Sequence, residues 1–518
     1  MSRLTFFING VLLTMVPERP LAEALAVRDG HIAAVGGREA VLALGTEDPS
    51  VVDLAGQALL PGFVDPHNHF AVAALEGFWA DCRTPPLRTI PEVQAALRAA
   101  AAATPPGAWV RGLGYHHGRL AERRHPTRAE LDEAVPDRPA FLLHFSHHQG
   151  VANSRALAAA GITRATPDPP GGEIGRDRAG EPTGLLFERA MARIERASRE
   201  GWEGRFGAVA AEATRRYAAA GLTTIQDAAV GPSVERRYHE AEQAGRLGIR
   251  VARMAVTSSG WFDPPWKEAR ARGEDRVLKV FVDGGYRCAM RLPRDGQEVV
   301  SGFLFYRRDE LAELLVTAWR AGWRVTCHAI GNLAVETCVG AIEDAVRRER
   351  SGEGRVRIDH VMFVTAALIE RIGALGLRVV TQPSLLYDQG APSVPLPPDL
   401  HCHAFGRFRE AGIPQAFSSD HPCGSLAPLT GIAAAVTRRT REGALVDPTE
   451  AVSVQAALAA YTIEAARAMG LEAECGSLEA GKRADLVVLD RNPLEVPPEE
   501  LERLQVRRTF VAGGQVWP

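Results

Sequence analysis

The sequence predicts an α/β chain organised around a TIM (β/α)8 barrel. A small β-domain made from both ends and a subdomain inserted after the first barrel strand complete it. Three observations predict this. The middle of the chain alternates short apolar runs with long Ala/Leu/Arg/Glu stretches, the pattern of parallel strands joined by amphipathic helices. Eight strand candidates can be counted, over 59–64, 222–226, 250–257, 276–282, 324–327, 356–359, 378–381 and 415–418. Both ends are strand-rich, so the termini are expected to meet in one unit. At 518 residues the chain exceeds one domain of ordinary size and suits a barrel with additions.

Taken in order, the elements justify themselves locally. Asp29-Gly30 stands between apolar alternations, a two-residue hairpin signal, and a second strand–turn–strand is expected around Ala55-Gly56. The first barrel strand, 59–64, runs into Asp65-Pro66-His67-Asn68-His69. Roughly 150 residues then precede the next barrel strand, far beyond an ordinary crossover. That stretch carries strand candidates at 109–113 and 140–144 and a Pro/Gly-rich loop at 166–172, so it is expected to fold over the barrel mouth. Amphipathic helices are expected at 208–220 and 308–321. The tail returns to strand patterns at 484–489 and 508–517.

Composition narrows the function. Apolar residues make up 46% and charged residues 24%, which fits a chain with a large core and excludes disorder for its bulk. Sixty basic residues against 63 acidic give a net charge of −3 without blocks of one sign, so nothing reads as a nucleic-acid footprint. Cysteines at 82, 288, 327, 338, 402, 423 and 475 include no C-x-x-C pair, which argues against a disulfide framework and fits a reducing compartment. Cys82 and Cys475 are expected as packing residues. The first residues lack a basic n-region, and no run of about 18 apolar residues occurs. A soluble cytoplasmic protein with a small-molecule substrate is expected, without nucleic-acid or membrane partners; a homodimer is the commonest assembly for such a chain.

The candidate chemistry sits at strand ends. His67 and His69 follow strand one, Lys279 lies in strand four, His328 and His360 end strands five and six, and Asp420 follows strand eight. Barrel active sites lie at the C-terminal ends of strands, so these residues are expected to converge. Imidazoles, a carboxylate and a lysine make a nitrogen/oxygen set suited to zinc, manganese, iron, nickel or cobalt rather than calcium. In a strand alternate side chains share a face, so His67 and His69 are expected to point inward and Asn68 away. Lys279 is one of only three lysines among the 60 basic residues. Unlike arginine, a buried lysine can lose its proton and capture carbon dioxide as a carbamate, whose two oxygens can each hold a metal.

Leu60-Pro-Gly-Phe-Val-Asp-Pro-His-Asn-His69 and Gly476-Ser-Leu-Glu-Ala-Gly-Lys-Arg-Ala-Asp-Leu-Val-Val-Leu-Asp490 resemble the two signatures of the amidohydrolase superfamily. Asn153-Ser-Arg-Ala-Leu157, Glu181-Pro-Thr-Gly-Leu185, Leu278–Gly284, His328-Ala-Ile-Gly331 and Ser419-Asp420 are similar to its YtcJ-like (amidohydrolase 3) group. The resemblance implies a barrel with a composite β-sandwich from 1–58 and 471–518, the barrel over 59–82 and 205–470, and an insert over 83–204. It implies two divalent metals, zinc foremost. His67 and His69 would hold the more buried one, and His328 and His360 the second. Carboxylated Lys279 would bridge them, and Asp420 would be metal ligand and general base. His148, Asn153 and His421 are candidates for substrate binding. His144 and His147 belong to the same loop and have no assigned role. The chain departs from the group's pattern at Gly331-Asn332, Asp359-His360 and Ser419-Asp420-His421-Pro422.

The expected activity is metal-dependent hydrolysis of a C–N bond in an amide, N-acyl or N-formyl compound. Two alternatives stand beside it. One is a mononuclear deaminase using His67, His69, His328 and Asp420, and the other an inactive relative serving as a binding protein. A metallo-β-lactamase is rejected, because Phe-Ala-Val-Ala follows His69 where that fold needs a further Asp-His. Trp79, Trp109, Tyr115, Trp261, Phe262, Trp266, Tyr286 and Tyr387 adjoin strands, where they would either line an apolar pocket or pack loops.

Overall fold

Eight strands form one parallel sheet at the centre of the chain, in spatial order β1 to β8: β1 (Phe63–Asn68), β2 (Leu222–Val230), β3 (Arg250–Val256), β4 (Val277–Phe281), β5 (Arg324–Ala329), β6 (Val356–His360), β7 (Arg378–Thr381) and β8 (Gln415–Phe417). β8 returns against β1, so the sheet is nearly closed, as a TIM barrel requires. The computed structural model describes residues 4–45, 49–198, 206–256, 276–285, 287–294, 297–392 and 395–518. Every residue of β1, β2 and β6 is buried, because helices cover a parallel sheet from outside. The expected helices appear as Phe206–Ala219 and Arg308–Arg320; in the second, Leu311, Leu315 and Trp319 recur at the 3.6-residue period and face the core. Among the described residues no helix is long and apolar enough to cross a membrane.

The first barrel strand differs from its sequence pattern. Residues Ala58–Pro61 pair antiparallel with Leu486–Leu489 in an outer sheet, and the barrel strand starts only at Phe63. Gly62 is the hinge between the two sheets: a β-carbon there would lie 2.3 Å from the Thr223 side chain, so only glycine lets β1 approach β2. The unbroken apolar run over 58–64 conceals this change of sheet, which moves the start of the barrel from 59 to 63.

Both ends of the chain share sheets. The six-stranded outer sheet runs Gly514–Trp517, Val506–Val511, Leu486–Leu489, Ala58–Pro61, Val11–Leu13, Leu21–Ala22. A four-stranded sheet of Thr5–Ile8, Ala24–Arg28, His31–Gly36 and Ser50–Asp53 packs on it, and the Phe7 and Phe510 rings meet edge to face at 5.1 Å. Asp29 and Gly30 both take positive φ, as the two-residue hairpin demands. The strands flanking Ala55-Gly56 belong to different sheets, so that turn joins layers rather than a hairpin.

Between β1 and β2 lies a further six-stranded sheet, in order Gly172–Arg176, Pro182–Glu188, Gln149–Ala152, Ala140–His144, Val110–Tyr115, Ala80–Asp81. It already includes Ala80–Asp81, ahead of the expected start at 83. Val110–Tyr115 and Ala140–His144 run parallel and end together, with Tyr115 opposite His144. Cys82 is buried in this unit's core and Cys475 beside the barrel, both among apolar neighbours as expected of packing residues.

Candidate metal and catalytic site

The strand ends bring the expected ligands into one buried group. His67 is the penultimate residue of β1, and His69 follows it at the N-terminus of the helix Phe70–Leu75. The His67 ring lies 5.5 Å from that of His69 and 4.7 Å from that of His360, and His328 and His360 stand 4.3 Å apart. Asp420 Oδ1 is 3.2 Å from His69 Nε2 and 3.4 Å from His67 Nε2. Asp420 takes φ 53°, a left-handed conformation uncommon for aspartate, and its N–H donates to the His67 carbonyl at 3.0 Å. Asn68 points away, where its amide donates to Asp65 and Ser419 and its oxygen accepts from Tyr217.

Three of the four imidazoles have Nδ1 tied. His67 Nδ1 meets Asp359 Oδ2 at 2.6 Å, His69 Nδ1 the Ala228 carbonyl at 3.2 Å, and His360 Nδ1 Gln382 Oε1 at 2.9 Å. Each thereby turns Nε2 towards the common centre, the arrangement in which outer partners orient metal-binding histidines. Buried Nε2 atoms of His328 and His360 have no hydrogen-bond partner among the described residues; the approach of His328 Nε2 to Asp283 Oδ1, 3.5 Å, lacks bonding geometry. Orphaned buried nitrogens are costly unless something else occupies their lone pairs. Burial holds His67 down to about 4 and His328 and His360 well below the usual imidazole range, so all three are neutral at pH 7, the form that ligates. The donor set therefore fits a divalent metal, with His67, His69 and Asp420 offering ligand atoms within 4.8 Å of one another.

Lys279 is wholly buried, with Nζ 3.1 Å from His67 Nε2 and 3.7 Å from Asp359 Oδ2. Burial, against the pull of Asp359 and Asp420, lowers its pKa to about 8. Asp420 is the opposite case: burial works to raise its pKa, but the surrounding imidazoles, His69 Nε2 foremost at 3.2 Å, outweigh it and lower the pKa.

A cavity of about 380 Å³ opens above this group, lined by His69, His328, His360 and Asp420 from the barrel and by His116, Ser146, His147 and His148 from the insert. Five of its lining residues that are not glycine, His147, Ala229, His360, His403 and Asp420, adopt positive φ, so the wall is held by its surroundings in conformations the chain alone disfavours. His147 Nε2 is buried without a partner among the described residues. His148 Nδ1 lies 2.8 Å from Glu188, itself buried at the end of the inserted sheet with φ 48°. Burial opposes its protonation, but the Glu188 charge and hydrogen bond win and raise the His148 pKa.

Several expected residues lie elsewhere. Asn153 does not line the cavity: its oxygen accepts from the backbone of Ala140 and Ala156, and its amide donates to the Val135 and Arg138 carbonyls. It is the N-cap of the helix Ser154–Ala159, a structural use that saturates the side chain. His421 is likewise absent from the lining, its Nδ1 at 3.1 Å from the Gly424 carbonyl. Trp79 and Trp109 pack in the insert, Tyr115 bonds His125, and Tyr387 stacks with Arg441; the aromatic wall comes instead from Phe145, Phe281 and Phe363. Trp261, Phe262, Trp266 and Tyr286 lie outside the described residues. Asp359, Gln382 and Glu188, which bond His67, His360 and His148, were not singled out by motif reading; Gln382 was signalled only by its place immediately after β7. Asn332, where the group's pattern has aspartate, accepts from Arg291 N and donates to Arg291 O, a pairing an ionised aspartate cannot complete.

A sequence profile of the amidohydrolase family matches residues 50–517. The chain belongs to that family. It is 36% identical to the N-substituted formamide deformylase of Arthrobacter pascens, over 98% of this chain and 97% of the relative. It is 28% identical to the putative amidohydrolase YtcJ of Bacillus subtilis (strain 168), over 98% of both. Among solved structures, an uncharacterized metal-dependent hydrolase from Pyrococcus horikoshii OT3 superposes with a TM-score of 0.75 at 23% identity, covering 96% of this chain and 99% of that one. This amidohydrolase is thus a hydrolase of carbon–nitrogen bonds with the barrel fold of its relatives.

Proposed function

We propose that this amidohydrolase cleaves the C–N bond of an N-substituted amide, with N-formyl and short N-acyl compounds of apolar amines as its substrate class. The observation that carries the reading is the convergence of His67, His69, His328 and His360, three of them with Nδ1 tied, on Asp420 beneath a cavity with an apolar wall. Likeness to a formamide deformylase supports the acyl part, and Phe145, Phe281, Ile330, Met362 and Phe363 suit an apolar substituent on nitrogen.

His67, His69 and Asp420 would hold one divalent ion and His328 and His360 a second, with zinc favoured by the imidazole-rich set. Lys279 would link the two sites as a carbamate: its neutral amine forms an N–C bond to carbon dioxide and releases one proton to solvent. The ions, when bound, supply an acidified water and a positive charge against the developing oxyanion. Asp420 would accept a proton from the attacking water and pass it to the departing nitrogen. His148, whose protonated form Glu188 favours, and His147 would contact the substrate from the insert.

A mononuclear deaminase is the second reading, favoured by one observation: only His67, His69 and Asp420 present ligand atoms within one compact sphere at the barrel mouth among the described residues. Metal stoichiometry at the barrel ligands alone, counted on chelator-free protein, separates the two. About two ions per chain, falling to about one or fewer in Lys279→Ala together with a loss of turnover on N-substituted formamides, is the expected result. Lys279→Ala with two ions and full turnover removes the carbamate, and one ion in the wild type with release of ammonia only from amino-heterocycles installs the deaminase.

A further inference from the structure

A second group of imidazoles lies apart from the barrel ligands. His116 and His117 follow the strand Val110–Tyr115, and His144 ends the neighbouring strand Ala140–His144. His117 Nδ1 and His144 Nε2 share a hydrogen bond at 3.2 Å, and one ring nitrogen from each of His116, His117 and His144 falls within 4.8 Å of the others. Adjacent nitrogens on a tetrahedral zinc stand about 3.3 Å apart, given zinc–nitrogen bonds of about 2.0–2.1 Å. His125 stacks on His117 with centroids 4.1 Å apart and lies 5.9 Å from His144.

The rings are also held from behind. His144 Nδ1 faces Ser146 Oγ at 2.9 Å and the Gln149 amide at 3.1 Å, and His125 Nδ1 faces the Tyr115 hydroxyl at 2.8 Å. Burial disfavours the charged form of all four rings, lowering His116 to about 4, His125 to about 3, His117 below its usual value and His144 well below the imidazole range.

We infer that His116, His117 and His144, backed by His125, form a second binding site for a transition-metal ion of the zinc class, in the inserted sheet rather than in the barrel. An all-imidazole set suits zinc, nickel or copper and is poor for calcium or magnesium, which take oxygen ligands. Coordination through His144 Nε2 gives up its contact with His117 Nδ1 and moves that ring's proton to Nδ1, where Ser146 Oγ accepts it in place of the bonds Nδ1 accepts from the Ser146 N–H and the Gln149 amide. Coordination by His116 Nε2 moves its proton to Nδ1 and gives up the 3.1 Å bond from Gly118 N–H. The ion ties the turn His117–Arg119 to the strand end at His144, and because His116 and Ser146 also line the catalytic cavity, it fixes that wall.

The test counts zinc in the full-length protein after reconstitution and removal of loosely bound ion. Wild type is expected to hold one equivalent more than His117→Ala, and zinc is expected to raise the Tm of wild type more than that of the variant. His116→Asn, at a half-buried ring, replaces His117→Ala if the latter does not fold. The double variant His67→Ala/His69→Ala is expected to retain the extra equivalent, which separates this site from the barrel ligands. Equal zinc counts in wild type and both folded cluster variants would overturn the assignment.

Discussion

Two groups of histidines border one cavity and differ in what stands behind them. At the barrel mouth the imidazoles come with Asp359, Asp420 and Lys279, buried groups that carry or exchange charge. In the inserted sheet they are backed by Tyr115, Ser146 and Gln149, all neutral. The contrast teaches that histidine content alone does not identify a reacting centre. The carboxylate beside the barrel imidazoles can accept a proton and return it, whereas the neutral partners in the insert orient their rings without offering such a base.

The sharpest way to break this contrast is Asp420→Asn. Turnover is expected to fall by about 10²–10⁴-fold with much of the metal retained; kcat and metal content measured on one preparation decide it, and an active variant would place the base elsewhere. Asp359→Asn comes next. It leaves every ligand in place but loosens the His67 ring, so metal affinity is expected to drop about 10–100-fold in a chelator competition. Unchanged affinity would mean that the 2.6 Å contact orients nothing.

Smaller effects sharpen the insert's side of the comparison. Asn153→Ala removes a cap and strands buried backbone groups, a loss of about 2–3 kcal/mol that appears as a lower Tm with KM unaltered. A raised KM at unchanged Tm would return Asn153 to the substrate. Glu188→Gln probes the His148 pair. The folded pKa of His148 is raised, so the pair's contribution is fully present below the unfolded value of about 6.5 and is lost as pH rises through the folded one. The Tm gap between wild type and Glu188→Gln should therefore narrow on going from pH 6 to pH 9, and a gap that widens would show that His148 is neutral in the folded chain.

Much of the barrel mouth was legible because the fold converts strand order into proximity: knowing that strands end at one face suffices to gather His67, His69, Lys279, His328, His360 and Asp420. Orientation was not legible. It depends on pairs such as His67 with Asp359 and His148 with Glu188, which no local spacing encodes. Asn153, expected to bind substrate, serves in the structure as a helix cap, a use that sequence does not separate from a substrate contact because both take an asparagine beside a serine. The first barrel strand was displaced because a continuous apolar run does not reveal which sheet each part joins, and only the crowding at Gly62 does.

The pairing of Leu60 with Val487 has a consequence for how the molecule is made. The segment that leads into the first barrel strand finds one edge partner more than 400 residues further along the chain. During synthesis that edge stays open until Val487 has been made and has emerged, so native assembly of this sheet waits on a distant contact. Deleting the residues from Leu486 onward should for the same reason harm the yield of folded protein well before it touches chemistry, leaving a sticky strand edge beside an otherwise complete barrel.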